Sequence, residues 1–283
     1  MPVYMFPGQG SQKVGMGQGL FEKYPDLTKK ADEILGYSIA ELCLKDPKGE
    51  IVQTQFTQVA MYVVDCLTYL SKLEETGGKK PTYAIGHSLG EYCALFAAGS
   101  FDFENGLKLV KKRGEMMAKA TNGGMAAVIG FSPDKIVEVL KVNQLDTLDV
   151  ANFNSLTQTV ISGKKEDIAK AKSVFEKAGC TLYIILPVGG AFHSRYMTPS
   201  RDEFKAYVDQ FTIKTPEISV IANYTALPYI AGEEKQNLVE QINHSVKWAE
   251  TIQYLLGKGE QEFVEIGPGM ALAGMVGKIK RNQ

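Results

Sequence analysis

Apolar and polar positions along the chain change period several times, and each change marks an element. Val3 to Phe6 is a short unbroken apolar run, the pattern of a buried strand. Helical patterns follow through Leu35 and from Ser38 to Cys43, with a break at Gly36. Between Gln55 and Leu73, apolar residues (Val59, Tyr62, Val63, Cys66, Leu67, Leu70) recur at helical spacing and predict a core-facing helix. Gly77-Gly78-Lys79-Lys80-Pro81 ends it. A second apolar run, Tyr83 to Ile85, enters Gly86-His87-Ser88-Leu89-Gly90, and a small-residue helix pattern runs from Tyr92 to Ala98. Phe101 to Met117 reads as another helix, stopped by Thr121-Asn122-Gly123-Gly124.

The texture then changes. Met125 to Gly130 reads as a strand, and Ser132-Pro133 opens a helix to Val142 with an N-cap followed by proline. Strands are expected at Leu148 to Ala151 and Gln158 to Ser162, a helix at Lys165 to Lys177, and a strand at Thr181 to Leu186. The order βαββαβ is the ferredoxin-like signature. The expected architecture is therefore α/β, with residues 124–189 as a small subdomain inserted into a larger body of residues 1–123 and 190–283. Re-entry runs through Val188-Gly189-Gly190-Ala191-Phe192-His193-Ser194. Helices near Pro199 to Phe211 and Glu234 to Asn243, a strand from Glu262 to Glu265, and a helix ending at Lys278-Ile279-Lys280-Arg281 complete the pattern.

Gly-x-Ser-x-Gly between a strand and a helix is the context of a nucleophile elbow. Ser88 would stand at a helix N-terminus with its hydroxyl exposed. The Leu89 N–H would be free to bind an oxyanion. Gly86 and Gly90 would supply the room that so tight a turn needs. A nucleophilic serine needs a base, and His193 in the glycine-rich re-entry loop is the candidate. The loop after the first strand, Pro7-Gly8-Gln9-Gly10-Ser11-Gln12, lets the backbone approach a ligand, and Gln9 can lend an N–H or its amide. The run Lys111-Lys112-Arg113, taken alone, reads as a solvated helix face.

Composition narrows the field. The formal charge of −1 over 283 residues favours neither nucleic acid nor an anionic membrane, and no apolar run is long enough to span a bilayer. Cys43, Cys66, Cys93 and Cys180 show no C-x-x-C spacing, and with only His87, His193 and His244 a zinc site is not expected, nor any cofactor. Free thiols in a reducing cytoplasm are the simplest account. Met1 to Pro7 lacks the basic region and long apolar core of a signal peptide.

Five motifs, in order, resemble one family: Phe6-Pro7-Gly8-Gln9-Gly10-Ser11-Gln12, Gly86 to Glu91, Arg113-Gly114-Glu115-Met116-Met117, Ala191-Phe192-His193-Ser194 and Glu265-Ile266-Gly267-Pro268-Gly269. The chain is similar over its whole length to malonyl-CoA:acyl carrier protein transacylases. Thr54-Gln55-Phe56-Thr57-Gln58 and the early end after the last helix look most like the free-standing acyltransferases that serve polyketide synthases in trans. The resemblance implies an α/β-hydrolase-like body with a ferredoxin-like insert, and an S-malonyltransferase whose partners are malonyl-CoA and an acyl carrier protein. It implies Ser88 as nucleophile, His193 as base, the Gln9 and Leu89 N–H groups as oxyanion hole, and Arg113 as the carboxylate-binding arginine. It also implies the Gln241 backbone carbonyl as the group that orients the histidine. Relatives selective for malonyl carry His-Ala-Phe-His. Here Phe192 is kept and Gly190 replaces the outer histidine, so malonyl selection would rest on one ring beside C2.

His87, next to the nucleophile, is expected to point away from it in a structural role. Lys111, Lys112 and Lys278 are the basic candidates for docking an acidic carrier. Two other readings share these residues: an acyl hydrolase that clears stalled chains from carriers, and a non-catalytic docking subunit. A buried cation at Arg113 argues against the first, and an intact Ser88 and His193 against the second.

Overall fold

Val3, Tyr4, Met5 and Phe6 form β1 (Val3–Phe6), a strand buried on both faces, as a parallel strand between helices must be. A computed structural model describes residues 1–281. The chain continues through α1 (Leu20–Lys23), α2 (Pro25–Leu35), α3 (Ile39–Leu44), α4 (Thr54–Glu75), β2 (Tyr83–Gly86), α5 (Gly90–Ala97) and α6 (Phe103–Ala118). Next come β3 (Gly123–Ile129), α7 (Pro133–Val142), β4 (Leu148–Ser155), β5 (Gln158–Lys164), α8 (Lys165–Lys177) and β6 (Leu182–Ile185). The last part holds a 3₁₀ turn at Arg195–Met197, then α9 (Thr198–Val208), β7 (Ser219–Val220), α10 (Glu234–Glu240), α11 (Trp248–Gly257), β8 (Phe263–Glu265) and α12 (Ala271–Arg281).

Two sheets result. The first is parallel, in the order β7-β2-β1-β8. Alternation along β1 divides its core: Tyr4 and Phe6 pack with α4, α5 and α6, whereas Val3 and Met5 pack with Trp248 of α11 and Leu272 of α12. The middle of α4, residues 57–67, is buried on every side and is mostly apolar there, with Val59, Tyr62, Val63, Cys66 and Leu67 almost inaccessible. The second sheet is antiparallel, in the order β4-β5-β3-β6. It has its own core beneath α7 and α8, built on Val128, Ile161, Phe175 and Tyr183.

The second sheet leaves the body at α6 and returns through residues 186–194, where the Gly123 N–H donates to the Gly189 carbonyl at 3.2 Å. Its edge strand β4 is clamped to the body: the Phe153 N–H donates to the Val246 carbonyl, and the Val246 N–H to the Ala151 carbonyl, both at 2.9 Å. A cleft lies between the sheets. No described helix is long and apolar enough to cross a membrane.

Three of the helix starts follow local chemistry. Ser38, Asp102 and Ser132 cap α3, α6 and α7 by accepting from the N–H three residues on. Several elements differ from the sequence pattern: β4 runs on from Ala151 to Ser155, and the pattern predicts neither α11 nor β7. The helix expected from Glu234 to Asn243 stops at Glu240, which leaves the carbonyls that follow free to turn toward the cleft. β7 has only two residues, too few to show any alternation.

Candidate active site

Ser88 lies on the turn between β2 and α5 with φ at +53°, a left-handed conformation rare for a side-chain-bearing residue. The turn is braced from outside. Asn223 accepts from the Ser88 N–H at 2.7 Å and donates to the Gly86 carbonyl at 2.6 Å. Ser88 Oγ sits 2.7 Å from His193 Nε2. On the far side of that ring, Nδ1 lies 2.8 Å from the Gln241 carbonyl and 3.2 Å from that of His244. Two carbonyls hold the proton on Nδ1, so Nε2 is the free acceptor facing the hydroxyl. No carboxylate is needed for that orientation.

His193 is 4% exposed. Burial, with the Arg113 cation as the next cause, lowers its pKa from the ordinary value to about 3. A base must be neutral to accept a proton, so this one is ready at any ordinary pH. We expect acylation by acetyl-CoA, which carries no carboxylate of its own, to show no histidine limb between about pH 5 and pH 7. Stopped-flow measurement of acyl-enzyme formation checks this; an acid limb near the ordinary histidine value would place the ring in solvent.

Arg113 is 1% exposed, on the inner face of α6. Its Nη1 donates to Gln58 Oε1 at 2.7 Å, and its Nη2 to Gln241 Oε1 at 2.8 Å and to Ser88 Oγ at 3.0 Å. Its plane lies 5.5 Å over the Tyr92 ring. All three acceptors are neutral, and among the described residues no carboxylate lies within ion-pair distance of the guanidinium. Nε is buried without a partner. The cleft encloses about 510 Å³, counting the part open to solvent, and Gln9, Leu89, Arg113, Phe192 and His193 all line it. Among the described residues, the Gln9 and Leu89 N–H groups donate to no protein acceptor.

Comparison with known proteins adds ancestry to this geometry. A family model described as acyl transferase domain matches residues 3–280. The chain belongs to the acyl transferase domain family. This acyltransferase is 52% identical over 283 residues to the polyketide biosynthesis malonyl CoA-acyl carrier protein transacylase PksC of Bacillus subtilis, covering 100% of this chain and 98% of that one. A crystal structure of a malonyl CoA-acyl carrier protein transacylase from Burkholderia pseudomallei superposes with a TM-score of 0.97 at 45% identity, covering 100% and 99% of the two chains. A malonyl-transacylase in complex with a type II PKS acyl-carrier protein superposes at 0.93 with 31% identity, covering 99% and 94%.

In the acyltransferase, the six positions singled out from sequence, namely Ser88, His193, Arg113, Gln9, Leu89 and Gln241, gather around one cleft. Phe192 joins them, its ring lying over Gly190; a Cβ there would come within 2.3 Å of the ring. Other expectations need correction. Arg113 is not on a solvated face: α6 turns it inward, whereas Lys111 donates to the Ile34 carbonyl and Lys112 pairs with Glu203. His87 borders the cleft but makes no side-chain hydrogen bond to Ser88 or His193 among the described residues: its Nε2 lies 2.9 Å from Asn154 Oδ1 on β4 and its ring centre 5.7 Å from that of Trp248. Gln58, Glu91, Asn223 and the side chain of Gln241 escaped sequence reading. Each is a polar residue 5% exposed or less, a mismatch with its apolar neighbours that only burial reveals.

Proposed function

We propose that this chain moves a malonyl group from malonyl-CoA to the phosphopantetheine thiol of an acyl carrier protein, acting in trans for polyketide assembly. The observation that carries the reading is Arg113. A guanidinium buried with no carboxylate in direct contact is costly, the nearest acid, Glu91, standing behind the Gln241 amide, and a ligand carboxylate would supply the missing contact. Its planar donors suit a carboxylate better than an ammonium would. Set 3.0 Å from the nucleophile oxygen, it lies where the far end of a short dicarboxylic acyl group would reach.

The chemistry follows from the neighbours. Ser88 Oγ attacks the thioester carbon as its proton passes to His193 Nε2. The carbonyl oxygen becomes an oxyanion held by the Gln9 and Leu89 N–H groups. Collapse breaks the C–S bond, and His193 returns the proton to the departing CoA sulfur. Malonyl remains as an ester on Ser88. The carrier's thiol then gives its proton to His193 and attacks the ester, and Ser88 leaves with that proton. Substrate exchange at one site makes the kinetics ping-pong.

The same reading takes the parallel-sheet body as α/β-hydrolase-like and residues 124–189 as a ferredoxin-like insert. An elbow on β2 and the antiparallel order β4-β5-β3-β6 support it. A reducing cytoplasm suits four free cysteines.

The test is Arg113→Ala, read by intact mass after exposure to malonyl-CoA or acetyl-CoA, with and without carrier. Malonyl loading is expected to fall about 10–100-fold, as for loss of a charge-assisted hydrogen bond, with acetyl loading much less affected. If the two fall together at an unchanged ratio, Arg113 does not hold the acyl carboxylate. Rapid release of free malonate by the unaltered protein without carrier would indicate a hydrolase instead.

A further inference from the structure

We propose that Glu91 is a positioning residue for selecting a charged acyl group: it fixes the side-chain amide of Gln241, and that amide fixes Arg113. The inference rests on the reading that Arg113 receives the acyl carboxylate.

Glu91 lies in the first turn of α5 and is wholly buried. Its Oε1 accepts from the Tyr229 hydroxyl at 2.7 Å and from the Asn223 N–H at 3.1 Å. Its Oε2 accepts from Gln241 Nε2. The same Nε2 donates to the Ser88 carbonyl at 2.8 Å, and Gln241 Oε1 accepts from Arg113 Nη2 at 2.8 Å. One side chain therefore links a buried carboxylate, the elbow and the guanidinium.

An amide can sit in this place in two orientations, and its neighbours choose between them. A carboxylate only accepts hydrogen bonds, and a guanidinium only donates them. With Nε2 toward Glu91 and Oε1 toward Arg113, every contact is matched. Turned over, an oxygen would face an oxygen and an N–H would face an N–H. Glu91, with the Ser88 carbonyl beside it, thus sets which atom Gln241 shows to Arg113. Without that acceptor, Nη2 would keep only Ser88 Oγ, the atom that must leave it to attack. The arrangement also gives the buried acid a purpose. Burial raises the Glu91 pKa to about 7 even though Tyr229, Gln241, Asn223 and the more distant Arg113 cation all act to lower it.

Glu91→Gln tests this at nearly constant volume. Its new NH₂ must face either Gln241 Nε2 or the two donors Tyr229 and Asn223. Facing Gln241 leaves fewer donors opposed, and it sets an N–H against Gln241 Nε2, so that the amide either shifts off that contact or turns over at the expense of its bonds to the Ser88 carbonyl and Arg113, and its hold on Arg113 loosens either way. The expected result is a rise of about tenfold in KM for malonyl-CoA with a smaller change in kcat, while acetyl loading falls much less. Gln241→Leu, which keeps the main-chain carbonyl, should lower the malonyl-to-acetyl ratio similarly, and the double variant should be little worse than either single one. Three results would overturn the proposal: an unchanged ratio in Glu91→Gln where Arg113→Ala shifts it, an unchanged ratio in Gln241→Leu should Glu91→Gln fail to fold, or losses that simply add in the double variant. If Arg113→Ala itself leaves the ratio unchanged, the failure lies in the reading of Arg113, and this inference falls with it.

Discussion

Ser88→Ala should form no acyl-enzyme with any acyl-CoA, and carrier loading should fall by about 10⁴–10⁶-fold, the scale seen when a nucleophile that works with a paired base is removed. The reason is local. Oγ is the atom 2.7 Å from His193 Nε2, and among the described residues no other hydroxyl or thiol lines the cleft in that position. Intact mass spectrometry reads the adduct, and persistence of a base-labile malonyl adduct in the variant would move the nucleophile elsewhere. A companion variant separates chemistry from backbone strain. Ser88→Ala and Ser88→Gly lose the same hydroxyl, but a φ of +53° suits glycine and strains alanine. Ser88→Gly should therefore unfold at higher urea than Ser88→Ala, by about 1 kcal/mol, although both are inactive.

The contrast between what the sequence displayed and what it hid has a physical basis. The elbow was legible because its requirements are local: a strand, a turn with room only for glycine at two places, and a helix, all within about fifteen residues. The order β3-α7-β4-β5-α8-β6 was legible because each element is long enough to show its period and is bounded by caps or turn residues. Arg113 illustrates the limit. Beside Lys111 and Lys112 it reads as surface, and only the rotation of α6 against α4 turns one member of the run inward. Asn223 braces the elbow from 135 residues away and no pattern in the chain announces it, whereas Glu91 ends the Gly86 to Glu91 motif, which gives no sign of what its carboxylate holds. β7 is held by pairing with β2, not by any alternation of its own. Gln241 lay between these cases: its carbonyl followed from family likeness, whereas the part played by its amide depends on three partners that converge only in the folded chain.

The elbow's glycines carry the other large prediction. A Cβ on Gly90 would lie 2.0 Å from the Phe6 carbonyl oxygen, and one on Gly86 would lie 1.9 Å from the carbonyl carbon of Gly90. Both obstacles are backbone, which cannot rotate aside as a side chain can. Gly86 closes β2, Phe6 closes β1, and the two are register partners in the parallel sheet, so relief would require β1 and β2 to part or α5 to lift off. Either movement would unpack Phe6, Ile85 and Tyr92, each inaccessible to solvent. Gly90→Ala and Gly86→Ala should each destabilise the fold by about 4 kcal/mol or more, at the exceptional end for one added methyl group, where strain and repacking in a dense core combine. Urea unfolding checks the magnitude, and acyl-enzyme formation by whatever fraction remains folded checks the link to function. Gly274→Ala, on α12 with open space around the position, is the control expected to be at least as stable as the unaltered protein, by up to about 1 kcal/mol. A Gly90→Ala protein as stable as that control, and still acylated, would mean that β1 and α5 stand further apart than described and that the turn at Ser88 is not under the constraint argued for it.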